Sequence, residues 1–134
     1  MHVPLTVNDF LGRAETVYPD RIAVVDEPDQ PAAALGPWTY AQLAGAARSQ
    51  AAALDRLGVE VGGRVAIVSH NSARLLTSFF GVSGSGRVLV PVNFRLAPAE
   101  VEYIVGHSGA EVLLVDPELT GLLDTVRAKH TFVL

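Results

Sequence analysis

The chain has 134 residues, 49 % of them hydrophobic and 18 % charged, which suits one packed domain and excludes a disordered segment. Lys and Arg number 10 against 14 Asp and Glu, a net charge of −4 spread over both halves, so no basic face for nucleic acid exists. Cysteine is absent, which excludes disulfides and thiolate chemistry; no run nears the ~18 apolar residues of a membrane span, and no signal peptide opens the chain, so a cytoplasmic protein is expected.

The first helix is expected from Thr6, whose hydroxyl can cap the turn, with Asp9 well placed against the helix dipole. Val7, Phe10, Leu11, Ala14 and Val17 keep a helical period, and Pro19 ends it. Ile22 to Val25 reads as a short strand. Asp26 to Pro37 holds Pro28, Pro31 and Pro37, so a long surface connection to a second short strand is expected. Thr39-Tyr40-Ala41-Gln42 is a capping box. Leu43, Ala47, Gln50, Leu54 and Leu57 follow at spacings of three or four, and Gly58 is the natural residue just past that helix.

A strand–helix rhythm then sets in. Arg64 to Ser69, Arg87 to Val90, Glu111 to Val115 and Thr131 to Leu134 are apolar runs. Helical stretches separate them: one with Leu75, Leu76, Phe79 and Phe80, one opened by Pro98 with Val101, Ile104 and Val105, and one opened by Pro117 with Leu119, Leu122, Leu123 and Val126. The runs are continuous rather than alternating, as in parallel strands covered on both faces. The fold class expected is therefore α/β, a mostly parallel sheet with helices on both faces plus a short N-terminal β-hairpin, in a single unit spanning residues 1–134. A buried strand ending on Phe132-Val133-Leu134 leads to the expectation of a chain truncated from something larger.

Motifs for chemistry are sparse. The cluster Gly81-Val-Ser-Gly-Ser-Gly-Arg87 has phosphate-loop glycine spacing, but Arg87-Val88 stands where a Lys-Ser/Thr pair is needed, and it precedes a strand rather than a helix. The expectation is a helix end and tight turn. His2, His70, His107 and His130 have no local metal-ligand spacing. His70, with Asn71 and Ser72, sits at a strand's C-terminal end, where open α/β sheets place ligands; a strand end and helix cap is the simpler reading. His107 reads as a helix terminus. Glu100 and Glu102 diverge by about 200° on a helix. Asp116 reads as a cap before Pro117, and Asp26, Glu27 and Asp29 as solvated loop charges. Arg95, just past a strand, reads as a salt-bridge former rather than an anion ligand. No catalytic, cofactor-binding or metal-ligating residue is assigned.

Five segments in order nevertheless resemble a known family. They are Pro19-Asp-Arg-Ile-Ala-Val-Val25, Trp38-Thr-Tyr-Ala-Gln-Leu43, Gly58-Val59 through Gly63-Arg-Val-Ala66, Val88-Leu-Val-Pro-Val-Asn-Phe-Arg-Leu96, and Glu100, Tyr103-Ile104 and Ser108-Gly-Ala110. Together they resemble the N-terminal part of AMP-forming acyl-CoA synthetases of the adenylate-forming superfamily, across about Val7 to Leu134. Gly86-Arg87 departs from the family's Gly-Ala, putting a bulky cation where a small residue packs. The family's phosphate loop, its aromatic adenine-contacting motif, its Thr-Gly-Asp ribose site and its lid lysine have no counterpart here; Lys129 is the only lysine, expected on a helix.

The resemblance implies a parent that uses ATP, magnesium and CoA to convert a carboxylate to acyl-CoA, AMP and pyrophosphate. This chain would be scaffold, inactive alone, with the remainder of the parent as partner and self-association through an exposed packing face. Two rival expectations stand beside it: a stand-alone binding or regulatory module, and a flavodoxin-like ligand-binding domain with a crevice at Ser69, Pro91 and Asp116.

Overall fold

The computed structural model describes residues 6–134. His2, one of the histidines weighed above, lies outside them. Helix α1 (Val7–Val17) starts where the polar signals place it, with one change of role. Asp9 does the capping: its Oδ2 accepts from the Thr6 N–H at 2.7 Å and from the Thr6 hydroxyl at 2.9 Å. Of its apolar stripe only Leu11 is buried, and Phe10 is 67 % exposed, so this helix contributes little to the core.

Strands β1 (Ile22–Val25) and β2 (Pro37–Thr39) form the expected antiparallel hairpin. Helix α2 (Tyr40–Arg56) opens with the reciprocal box. The Gln42 N–H donates to Thr39 Oγ1 at 3.3 Å, and Gln42 Oε1 accepts from the Thr39 N–H at 2.9 Å. Gly58 follows at φ +71°, a conformation that costs any other residue a clash at Cβ.

The main sheet has four parallel strands in the order β4 (Val88–Val92), β3 (Arg64–Val68), β5 (Val112–Val115), β6 (His130–Val133). Successive side chains alternate between faces. Val65, Ile67, Val112 and Leu114 meet Leu54 of α2, with Val59, Val82 and Leu75, on one face. Ala66, Val68, Leu113 and Val115 meet Val101 and Val105 of α4 (Pro98–Ser108), with Val126, on the other. This two-sided burial is why the strand sequences run continuously apolar. The runs at the sheet margins behave differently: β4 and β6 are only half covered. A third cluster joins Leu11, Leu43, Ala44 and Ala47 to Trp38 and Phe80 beside the hairpin.

The chain leaves β3 in one direction through α3 (Ala73–Gly81) to β4, then returns over β3 through α4 to β5. A constant crossover hand demands that reversal of direction put the two helices on opposite faces, as observed. Helix α3 buries its small side, Ala73, Thr77, Ser78 and Gly81, and leaves Phe79 40 % exposed. Leu75, Leu76 and Phe80 still pack against the core at partial burial, as their spacing implies; close approach to α2 selects the small residues for the fully buried side.

The helix expected from Pro117 is not α-helical. Residues Pro117–Asp124 form 3-10 turns with a kink at Leu119, whose φ is −111° and ψ 17°. The stretch is eight residues long with Gly121 inside, too short and too flexible to repay helix nucleation. Leu119, Leu122 and Leu123 still pack onto the core, so the apolar spacing marks contact rather than helix type. Lys129 accordingly lies in a bend before β6, not on a helix.

Candidate functional site

The strand order reverses between β3 and β5, so the carboxyl ends of these strands are the place where an open parallel sheet would hold a ligand. The structure brings Ser69, His70 and Asp116 together there. Asp116 is fully buried, and its Oδ2 accepts from the Ser69 hydroxyl at 2.9 Å and from the His70 N–H at 3.2 Å. Its Oδ1 accepts from the Glu118 N–H at 3.1 Å, which is the cap expected before Pro117. A buried carboxylate must be hydrogen-bonded, and this one takes its donors from both strand ends. It ties β3 to β5 across the gap a ligand would enter.

His70 packs its ring against Phe94 of the segment after β4, centroid to centroid 4.1 Å with the planes tilted at 47°. Asn71 is exposed. Arg95 forms no ion pair among the described residues; its guanidinium stacks on Phe94 at 4.8 Å, so the expected salt bridge is replaced by a cation–π contact. The crevice expected at Ser69, Pro91 and Asp116 is thus bridged by the chain's own groups.

Asp26 overturns the expectation of a solvated loop charge. It is 5 % exposed, and its Oδ1 accepts from the Ala73 N–H at 2.7 Å, at the first turn of α3. Its Oδ2 accepts from the Leu35 N–H at 3.0 Å and from Gln30 Nε2 at 3.2 Å. The carboxylate sits at the positive end of the α3 dipole, and Ser72 at the cap position makes no side-chain cap bond. The cap comes from 47 residues away, which no local spacing could signal.

The glycine cluster is the helix end and turn expected. Ser83–Ser85 is a single 3-10 turn, and Gly86 follows at φ +81°. Arg87 is the departure that matters. It is 7 % exposed, and Nε and Nη2 both donate to the Val59 carbonyl, at 2.9 and 2.6 Å. Nη1 donates to Ser85 Oγ at 3.0 Å and Nη2 to Asp55 Oδ1 at 2.5 Å. The bulky cation is accommodated by acceptors of the chain itself, the buried Val59 carbonyl foremost.

The remaining candidates disperse. His107 stacks on Tyr103 at 5.4 Å in the last turn of α4, and Glu100 accepts from the Ala97 N–H at 2.8 Å to cap that helix. Glu15 and Arg48 form a two-point ion pair at 2.8 and 2.9 Å on the rim of a groove of about 190 Å³ between α1 and α2. The hydrogen bonds from Arg48 lower the Glu15 pKa, and those to Glu15 raise that of Arg48. Among the described residues no three His, Asp or Glu side chains converge on a metal-sized point, and no helix is long and apolar enough to cross a membrane.

Comparison with known proteins completes the picture. The family model described as AMP-binding enzyme matches residues 11–133. The 4-hydroxybutyrate–CoA ligase 2 of Metallosphaera sedula is 39 % identical over 116 residues, covering 86 % of this chain and 20 % of that protein. The long-chain-fatty-acid–CoA ligase of Thermus thermophilus is 43 % identical over 91 residues, 68 % of this chain and 17 % of its own length. The crystal structure of the N-terminal domain of FACL13 from Mycobacterium tuberculosis superposes with a TM-score of 0.84 at 29 % identity, over 97 % of this chain and 34 % of that one. The chain thus spans about a fifth of the length of the curated relatives it matches. With a family model matched over residues 11–133 and relatives of this identity, the chain belongs to the AMP-binding enzyme family, as an N-terminal portion of the acyl-CoA synthetase kind.

Proposed function

We propose that this chain is one supporting α/β subdomain, residues 1–134, of an ATP-dependent acid–thiol ligase in the cytoplasm, and that it does not adenylate a carboxylate by itself. In the whole enzyme a substrate carboxylate oxygen attacks the α-phosphorus of ATP and pyrophosphate leaves; the CoA thiolate then attacks the acyl carbon and AMP leaves. Positioning and charge stabilisation dominate such steps.

The observation that carries the reading is the state of the buried charged groups. Asp26, Asp116 and Arg87 all bond to the chain's own backbone and hydroxyl groups. At the switch of strand order Asp116 closes the gap instead of presenting donors to a triphosphate. ATP, CoA and magnesium belong to the whole enzyme in this reading; the donor set here does not fit a magnesium ion, and no step is assigned to these residues.

The partner is the remainder of the enzyme. In its absence the half-exposed apolar groups of β4, β6 and α3 favour self-association. ATP–pyrophosphate exchange tests the reading. The purified 134-residue chain should show no exchange with any carboxylate, whereas the chain extended through its own downstream coding sequence should. Exchange by the short chain overturns the proposal.

A further inference from the structure

Helix α1 is held to the body differently from the helices that cover the sheet. Helix α2 buries Leu43 and Leu54 and helix α4 buries Val101 and Val105, whereas α1 buries Leu11 alone. Leu11 clusters with Leu43, Ala44 and Ala47 of α2 and with Phe80 of α3, a bed whose two alanines offer no ridge to lock a helix in place. Among the described residues, the polar ties of α1 to the rest of the chain are two. Asn8 Nδ2 donates to the Gly84 carbonyl at 3.4 Å, and Arg48 donates to both carboxylate oxygens of Glu15 at 2.8 and 2.9 Å. The first is long, and the second joins side chains 64 % and 30 % exposed, so water and salt compete for it.

The helix also stands off its bed. The groove of about 190 Å³ stays open between α1, α2 and the Ser83–Ser85 turn, and a Cβ on Gly12 would meet nothing within 4 Å. Immediately beyond α1 the chain is fixed again. The Ala41 N–H donates to the Pro19 carbonyl at 3.0 Å, and the Tyr40 N–H to the Arg21 carbonyl at 3.0 Å. Tyr18, at φ −135° and ψ 43°, is the residue between the last helical position and that anchor. A fixed anchor, one joint and a weakly held helix make a hinge. Released from its bed, a helix of 11 residues is too short to persist in water, so release and melting are one event.

We infer that α1 is a hinged cover, released about Tyr18 as one unit while the parallel sheet stays folded, with the Glu15–Arg48 pair as its catch. What it uncovers is the bed of Leu43, Ala44, Ala47 and Phe80 on α2 and α3. The sheet does not depend on it: among the described residues, neither of the two clusters that sandwich the sheet contains a residue of α1. The device is independent of the reaction proposed above.

Hydrogen exchange at single-amide resolution on the 134-residue chain tests the assignment. The amides of residues 11–17 should be at least ~100-fold less protected than those of Ala66 and Leu113, and ~1 M urea should leave their protection unchanged, because their opening exposes little surface. Equal protection, or an equal fall with urea, overturns the inference. Val105 packs on the face of the sheet opposite α2. Val105→Ala should lower the protection of Ala66 and Leu113 ~10-fold and leave residues 11–17 unchanged, since the covered and uncovered forms both lose that contact. A parallel fall in α1 would make the helix part of the cooperative core and overturn the inference. Arg48→Ala should lower protection at residues 11–17 about 2–5-fold, and ~1 M NaCl should do the same to the parent chain and nothing further to the variant; no response to either overturns the assignment of the catch. The chain has no cysteine, so Ala44→Cys reports on the bed itself. Its thiol should react with N-ethylmaleimide at least ~100-fold faster than that of Val105→Cys. Fast exchange in α1 with a slow thiol at position 44 would mean that the helix frays in place, and would overturn the cover.

Discussion

Replacing Arg87 by methionine isolates the energetics of a buried cation whose formal counter-ion is in water. The Arg87 side chain is 5 % exposed while that of Asp55 is 70 % exposed. A carboxylate so open to solvent contributes little through charge, about 0.5 to 1 kcal/mol at most. The Val59 carbonyl is different. It accepts from Nε and Nη2 of Arg87, and Val59 is 2 % exposed, so loss of the guanidinium leaves this acceptor without those donors in a dry site. A hydrogen bond to a charged group is worth about 1.5–3 kcal/mol, and an orphaned buried acceptor costs about 1–3 kcal/mol. Methionine keeps the aliphatic stem, so packing changes little. Arg87→Met should thus destabilise by about 3 kcal/mol, roughly 10 °C in Tm for a chain of this size, and Asp55→Ala by less than about 1 kcal/mol. Urea unfolding followed by circular dichroism measures both. Equal losses in the two variants would mean that the ion pair carries the energy and would refute the argument.

Three further outcomes follow from the same geometry. Asp26→Ala removes a cap from α3 and a clasp from the 26–36 connection, and should cost about 2 kcal/mol and open that connection to limited proteolysis; unchanged cleavage there would show the carboxylate to be dispensable. Gly81→Ala would place its Cβ 2.9 Å from the Ala47 carbonyl oxygen and force α2 and α3 apart, a loss of about 1–3 kcal/mol, whereas Gly106→Ala on open α4 surface should gain about 0.5–1 kcal/mol; thermal melts that rank the two alike would count against the packing account. The Asp9 pKa is lowered by hydrogen bonds from Thr6 and the Glu15 pKa by those from Arg48, so each supports the folded state above its ordinary carboxylate range and the support is lost as pH falls through the lowered value. Glu15→Gln and Asp9→Asn should therefore flatten the acid limb of α1 stability, read by amide exchange of residues 7–17 between pH 5 and 2, about the range over which a carboxylate titrates; an unaltered acid limb would show that neither group contributes.

Much of the fold is written locally. Thr39 and Gln42 cap α2 because a hydroxyl and an amide three residues apart reach each other's backbone N–H on any helix start. Gly58 ends it because only the missing Cβ relieves φ +71°. The unbroken runs in β3 and β5 announce strands covered twice, and the five family segments in order announce the kin. What tertiary structure alone decided is which polar groups are buried and with whom. Asp26 reaches a helix start 47 residues on, Asp116 reaches Ser69 47 residues back, and Arg87 finds an acceptor on Val59. The same residues read as loop charge, cap and misfit when only their neighbours are counted. Apolar spacing likewise could not tell α-helix from 3-10 turns at Pro117–Asp124, because both present a residue inward every three or four positions and only the space against the sheet chooses between them. Local chemistry sets where an element begins and which way it faces; the desolvation of a charge is a property of everything folded around it.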